Sequence, residues 1–118
     1  MNISWFGMAW SAVKGFFSFG TSASIEVADY IIGKVNDFCG NTAWIAANIA
    51  KAYTSLVWVC DKLDYYAKYI PNPWANIYAS IRNALGELRD ILADGRVERE
   101  EIERVAAKVR EVAAAWNR

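Results

Sequence analysis

The tripeptide Pro71-Asn72-Pro73 constrains the fold most strongly, because two prolines around one asparagine stop any helix that reaches them. The chemistry of the chain also changes there. Of the 17 aromatic residues, 14 precede Pro71, whereas 16 of the 26 charged residues follow Ile70. We therefore predict an apolar, aromatic helical module over residues 1–70 and a charged, amphipathic helical hairpin over residues 71–118, together an all-α protein of about five helices.

The composition disfavours several classes of function. The sequence contains no histidine, which is the commonest general base and a common metal ligand. It also contains no P-loop, no glycine-rich dinucleotide turn and no zinc-type cysteine spacing. Its 13 basic and 13 acidic residues cancel, and no local basic cluster is present to bind phosphates. We therefore expect a non-enzymatic protein with no catalytic residue, no cofactor, no metal ion and no nucleic-acid partner.

Residues 3–24 are the most apolar stretch and contain a single charge, Lys14. About 20 mostly apolar residues suffice to span a bilayer, although a lysine near the middle costs about 3 kcal/mol. Gly7, Ser11 and Gly15 recur at every fourth residue, which gives one helical face where another helix can approach closely. Alternatively, they are simply small residues between bulky aromatics. Because no basic residue precedes Lys14, we do not expect this segment to be a cleaved secretory signal.

Residues 25–39 and 43–70 show two further helical patterns. In the first, an apolar face is separated from an acidic one. The second is the longest helical pattern of the chain, and it contains Asn48 and Lys51, which are costly in hydrocarbon. Its end carries a cluster of tyrosines, with Asp64 and Lys68 spaced for an ion pair. Such tyrosines are typical either of a membrane interface or of side chains that cover the end of a bundle core. The apolar face of the first pattern is Ile25, Ala28, Ile32, Val35 and Cys39, and the tyrosines are Tyr65, Tyr66 and Tyr69.

The C-terminal residues predict a helical hairpin. Apolar residues repeat from Trp74 to about Ala93, and Asp94-Gly95 then supplies a turn with a left-handed glycine. Glu98 is placed as the cap of the next helix. That helix has heptad spacing and is expected to fold back, antiparallel, onto the preceding one. Its seam is Ile102, Val105, Val109, Val112 and Trp116.

The hairpin turn also matches part of a calcium-binding loop. Asp90, Asp94, Gly95 and Glu101 fall at positions one, five, six and twelve of an EF-hand. Leu92 occupies the third ligand position and arginines surround the loop, so we interpret it as a turn without a metal ion. The two cysteines, Cys39 and Cys60, lie in apolar stretches, where we expect two buried free thiols; a disulfide between them is the alternative.

The stretch Asp94-Gly95-Arg96-Val97-Glu98-Arg99-Glu100-Glu101-Ile102 resembles the D-G-x-[IV]-x-x-x-E-[IV] tail that follows the apolar segments of some small phage holins and related phage membrane proteins. The order of parts, apolar aromatic helices before a charged helical tail, is similar too. The resemblance implies that the apolar part oligomerises in a membrane while the tail stays in water.

Two functional hypotheses follow. The first is a self-associating helical protein that acts in or on a membrane, holin-like or ejection-type, with copies of itself and a lipid bilayer as partners. The alternative is a virion or filament structural subunit whose aromatic helices pack against neighbouring copies or other virion proteins. A monomeric soluble bundle is a third reading, but it would leave many aromatics to bury without partners. We expect the protein to be membrane-associated or in a virion. The interface candidates are Gly7, Ser11, Gly15, Trp44, Trp58, Tyr65, Tyr66, Tyr69, Ile102, Val105, Val109, Val112 and Trp116.

Overall fold

The computed structural model of the protein describes residues 24–116, and this range is built from helices without any strand. The all-α prediction is therefore confirmed. The predicted small-residue stripe at Gly7, Ser11 and Gly15 lies outside the described residues. The five helices between Ser24 and Trp116 are α1 (Ser24–Cys39), α2 (Thr42–Ala47), α3 (Ile49–Tyr66), α4 (Trp74–Leu92) and α5 (Arg99–Ala114), and a 3-10 turn (Ala67–Tyr69) extends α3.

Helix α1 has the amphipathic character that its sequence predicts. Ala28, Ile32, Val35 and Cys39 are buried, and Ile25 is half-buried at the start of the same face. The opposite face, with Glu26, Gly33 and Asp37, is exposed. The buried face is wider than the predicted one, since it also includes Val27, Ile31 and Phe38. The helix ends at Cys39, and the N–H of the following Gly40 donates to the carbonyl of Asn36 over 3.1 Å.

The prediction of one continuous helix over residues 43–70 is wrong, because the helix is interrupted at Asn48. The Asn48 side chain donates from Nδ2 to the carbonyl of Trp44 over 3.0 Å, and its backbone N–H donates to Ile45 over 3.2 Å. Its φ of −137° and ψ of 50° lie outside the helical range. Asparagine competes in this way with the helical hydrogen-bond pattern. The Asn48 carbonyl accepts from the backbone N–H of Ala52 over 2.8 Å, and α3 begins at the next residue, Ile49.

The predicted C-terminal hairpin is confirmed in its position and in its turn. Gly95, three residues after the end of α4, has a φ of 74°, the left-handed conformation expected of a glycine that ends a helix. The carboxylate of Asp94 accepts from the backbone N–H of Arg96 over 3.0 Å and tightens the turn. Glu98 precedes α5 with extended backbone, but its side chain makes no capping hydrogen bond. The helices are antiparallel, since Lys108 of α5 lies 3.1 Å from Glu87 of α4, and Trp116 beyond the end of α5 packs against Trp74 at the start of α4.

One hydrophobic core joins the residues on the two sides of Pro71. Helix α4 packs against both α3 and α5, and α5 also contacts α1 and α2. The Pro71 carbonyl accepts from Trp74 N–H over 2.9 Å, so the turn leads directly into α4. The Asn72-Pro73 peptide bond is cis. The division into two modules at Pro71 stays a prediction about their roles, while the described parts of the two modules share this core.

Candidate functional site

A row of aromatic and basic side chains follows the outer side of α3 and the 3-10 turn. Its members recur at spacings of four and three residues, which place them on one side of a helix. The inward side of α3 carries Ala52, Leu56, Val59 and Leu63, all buried. We call the outer row the tyrosine–lysine face, and it consists of Trp58, Lys62, Tyr65, Lys68 and Tyr69.

Tyr65 is the most prominent side chain of this face. It is 58% exposed, which makes it the one large hydrophobic side chain that is exposed between residues 25 and 116. The ammonium of Lys68 lies 5.2 Å from the ring centroid of Tyr65 and 5.1 Å from that of Tyr69. Lys62 lies 5.8 Å from the ring centroid of Trp58. Both lysines are thus positioned for cation–π contacts, which hold charged heads beside aromatic rings at the surface.

The expected ion pair between Asp64 and Lys68 does not form, because each has another partner. Asp64 accepts two hydrogen bonds from Arg82 of α4, over 2.6 and 3.0 Å. A guanidinium binds a carboxylate through two parallel bonds, which a lysine cannot do. The hydrogen bond to Asp64 raises the pKa of Arg82 against the opposing effect of burial. Asp64 therefore fastens α3 to α4, and Lys68 stays with the tyrosines.

Tyr66 and Tyr78 lie beneath the tyrosine–lysine face and contact α3 residues in or next to it. The buried Tyr78 hydroxyl donates to the carbonyl of Leu63 over 2.6 Å, which satisfies one of the last carbonyls of α3. Burial raises the pKa of Tyr78, with a smaller contribution from the Asp64 carboxylate. Tyr66 packs edge-on against Tyr65, with ring centroids 4.7 Å apart. Burial and the neighbouring phenols of Tyr65 and Tyr69 raise the pKa of Tyr66. The tyrosine–lysine face is therefore held in place by contacts with the core.

The remaining interface candidates lie elsewhere in the fold. Trp44 of α2 is half-buried and packs edge-on against Phe38, with ring centroids 5.9 Å apart. Ile102, Val105 and Val109 are buried within the chain, as expected of a hairpin seam. Val112 is half-buried. Trp116 is buried, and its ring centroid lies 5.5 Å from that of Trp74 and 6.1 Å from that of Tyr78.

The cysteines and the acidic residues of the hairpin turn are engaged in the fold. Cys39 and Cys60 are buried free thiols, as expected. Burial raises the pKa of Cys39 to about 12 against the opposing charge of Arg110. Asp90 pairs with Arg89 over 3.0 Å, and Glu101 pairs with Arg104 over 3.6 Å. Across residues 24–116, no group of three histidine, cysteine or acidic side chains could hold a metal ion.

A second surface feature was not evident from the sequence. A groove of about 860 Å³ lies between α1 and α5, and two of its lining residues, Trp116 and Asp29, are joined by a hydrogen bond of 2.7 Å from Trp116 Nε1 to the Asp29 carboxylate. The two residues are 87 positions apart, so no local pattern brings them together. We call this feature the α1–α5 groove, and its main lining residues are Asp29, Gly33, Asn36, Ala107, Arg110 and Glu111.

Comparison with protein families, with curated proteins and with solved structures found no match. Within the described part of the chain, none of the helices combines the length and the apolar character that crossing a membrane requires.

Proposed function

We propose that this is a non-enzymatic, self-associating helical protein that acts on a membrane, with the tyrosine–lysine face lying in the headgroup layer of the bilayer. The observation that carries the proposal is the arrangement of Tyr65, Lys68 and Tyr69. The exposed ring of Tyr65 and the half-buried ring of Tyr69 flank one ammonium, at 5.2 and 5.1 Å. Tyrosine is enriched where membrane meets water, because its ring is apolar and its hydroxyl is polar. Lysine extends its charged head from the same depth into water.

The sequence before α1 supports the same function. Residues 3–24 have the length and apolar character of a membrane-inserting segment, with one charge at Lys14. A surface helix and an apolar segment together bind a membrane more firmly than either does alone, since the second contact is intramolecular. The apolar-then-charged layout and the Asp94-Gly95 stretch favour a holin-like or ejection-type protein. These features leave the helical hairpin of α4 and α5 facing water.

The charges near the tyrosine–lysine face define which lipids it should bind. Lys62 and Lys68 are partly offset by the exposed Asp61, and Asp64 is paired with Arg82. Anionic lipid contributes about 1 kcal/mol for each basic residue near the surface. The expected binding is therefore driven mainly by the aromatic rings and is only weakly sensitive to salt.

Vesicle flotation of the full chain tests this function. The wild-type protein is expected to float with phosphatidylcholine vesicles, and more strongly when phosphatidylserine is added. The double variant Tyr65→Ala/Tyr69→Ala should lower the partition coefficient at least about tenfold, which corresponds to a loss of about 60 Å² of apolar contact. Tyr30→Ala is the matched control, because Tyr30 is a half-buried tyrosine of α1 with Lys34 at 5.4 Å from its ring.

Two results would contradict the proposal. One is a double variant that floats as well as the wild-type protein. The other is a wild-type protein that stays with the soluble fraction as a high-mass assembly, which would favour the alternative function of a virion or filament subunit.

A further inference from the structure

The α1–α5 groove has the shape of a surface on which a helix can lie. Its α1 side is open at Gly33, where an added Cβ atom would meet nothing within 4 Å. Its α5 side presents the exposed Ala107 and Ala114. These two alanines are seven residues apart, and so they lie on one side of α5 two turns from each other. Small residues at this spacing allow two helix backbones to approach closely.

The charged residues between the two alanines indicate what kind of helix could bind in the groove. Arg110 and Glu111 are exposed, and neither takes part in an ion pair among residues 24–116. The other basic residues of α5 do: Arg99 pairs with Glu103, Arg104 with Glu101, and Lys108 with Glu87. The best contact of Arg110 is a long hydrogen bond of 3.4 Å to Asn36. Arg110 and Glu111 are thus an adjacent base and acid without ion-pair partners on a highly charged helix. They could pair with a second helix on which an acid faces Arg110 and a base faces Glu111.

We propose that the occupant is a second copy of this chain, with the two α5 helices antiparallel about a two-fold axis between Arg110 and Glu111. In this arrangement Arg110 of each copy faces Glu111 of the other, so two ion pairs form. Ala107 of each copy faces Ala114 of the other. The same patch meets itself, as a two-fold interface requires. A parallel arrangement would instead place Arg110 against Arg110 and Glu111 against Glu111, with two repulsive contacts.

This interface would account for the self-association in the proposed function. The inference rests on that part of the proposed function and not on membrane binding. It needs no lipid, so it is tested in buffer without vesicles. A failure of the interface therefore leaves the flotation result unaffected, and a failure of flotation leaves the interface unaffected.

Sedimentation equilibrium of the full chain tests the interface through a charge swap. The wild-type protein is expected to associate at least to a dimer. Arg110→Glu and Glu111→Arg should each weaken the association about tenfold or more, because each puts like charges face to face at two positions. The double variant Arg110→Glu/Glu111→Arg should restore it to near the wild-type value, since the reversed pairs are again complementary. Arg96→Glu, an exposed arginine in the hairpin turn, is the matched control and should associate like the wild-type protein.

Circular dichroism of each variant establishes that the fold is retained, which the exposure of both side chains favours. A monomeric wild-type protein would overturn the proposal. Folded single variants that associate as the wild-type protein does would overturn it too, as would a folded double variant that stays dissociated.

Discussion

The indole of Trp116 donates a hydrogen bond of 2.7 Å to the carboxylate of Asp29, so the second residue after α5 is bonded to α1, at the other end of the described chain. Trp116 is also buried against Trp74 at the start of α4. One side chain thus contacts both the first and the fourth helices. These contacts join segments that are far apart in the sequence.

Removing the donor of this bond should destabilise the protein. Trp116→Phe keeps an aromatic ring but leaves Asp29 without the indole N–H, which should lower the free energy of unfolding by about 1 to 2 kcal/mol. Trp116→Ala also removes the ring contacts and should lower it by about 3 to 5 kcal/mol. Urea denaturation measures both values, with Asp29→Asn as a control that keeps an acceptor oxygen. A Trp116→Phe protein as stable as the wild type would show that the hydrogen bond contributes nothing.

Two glycine substitutions should change stability in opposite directions. Gly95 has a φ of 74°, which a residue with a Cβ atom adopts only with strain. Gly95→Ala should therefore cost about 1 kcal/mol. Gly33 lies within α1 with open space around its Cβ position. Gly33→Ala should therefore stabilise the helix by about 0.5 to 1 kcal/mol. Thermal unfolding at a protein concentration where each variant is monomeric compares the two directly, and a destabilised Gly33→Ala monomer would mean that the space beside Gly33 is filled within the chain.

Alkaline pH should destabilise the fold through its buried thiols. Burial raises the pKa of Cys39 from 9.0 to about 12 and also raises that of Cys60. A raised pKa in the folded state means that the stability is complete below pH 9 and is lost as the pH rises towards 12. Each such thiol should lower the free energy of unfolding by up to about 1.4 kcal/mol per pH unit in this range.

The comparison of wild type with Cys39→Ala isolates this effect. Denaturant unfolding at pH 8 and pH 10 should give a smaller loss of stability for the variant than for the wild-type protein. Equal losses would mean that Cys39 does not titrate at a higher pH in the folded state than in the unfolded chain.

Much of the local structure could be predicted from the sequence, because it depends on short-range periodicity. The bounds of α1 and α4 follow from apolar repeats, and the turn follows from Asp94-Gly95. The break at Asn48 could not be predicted in this way, since asparagine is tolerated in many helices and the break depends on where its side chain bonds. The ion-pair partner of Asp64 could not be predicted from the sequence either. Spacing favoured Lys68, whereas the fold brings Arg82, which is 18 residues away.

The candidate site was predicted in part for the same reason. The clustering of Tyr65 and Tyr69 is visible in the sequence, because all members of the row lie on one helix and its extension. The α1–α5 groove joins residues such as Gly33 and Arg110 that only the tertiary fold brings together. Periodicity identifies the inward face of each helix, but it does not tell which outward faces lie side by side.

Spin labelling at position 65 most directly tests the proposed contact of Tyr65 with lipid. Cys39 and Cys60 are buried with raised pKa values, so a nitroxide should attach to Tyr65→Cys while the unsubstituted protein takes up little label. Glu100→Cys, at an exposed position of α5, is the matched control. On addition of phosphatidylcholine vesicles, the label at position 65 should become more accessible to oxygen and less accessible to a water-soluble nickel chelate, while the label at position 100 should not change. Unchanged accessibility at position 65 in labelled protein that floats with the vesicles would contradict the proposed function.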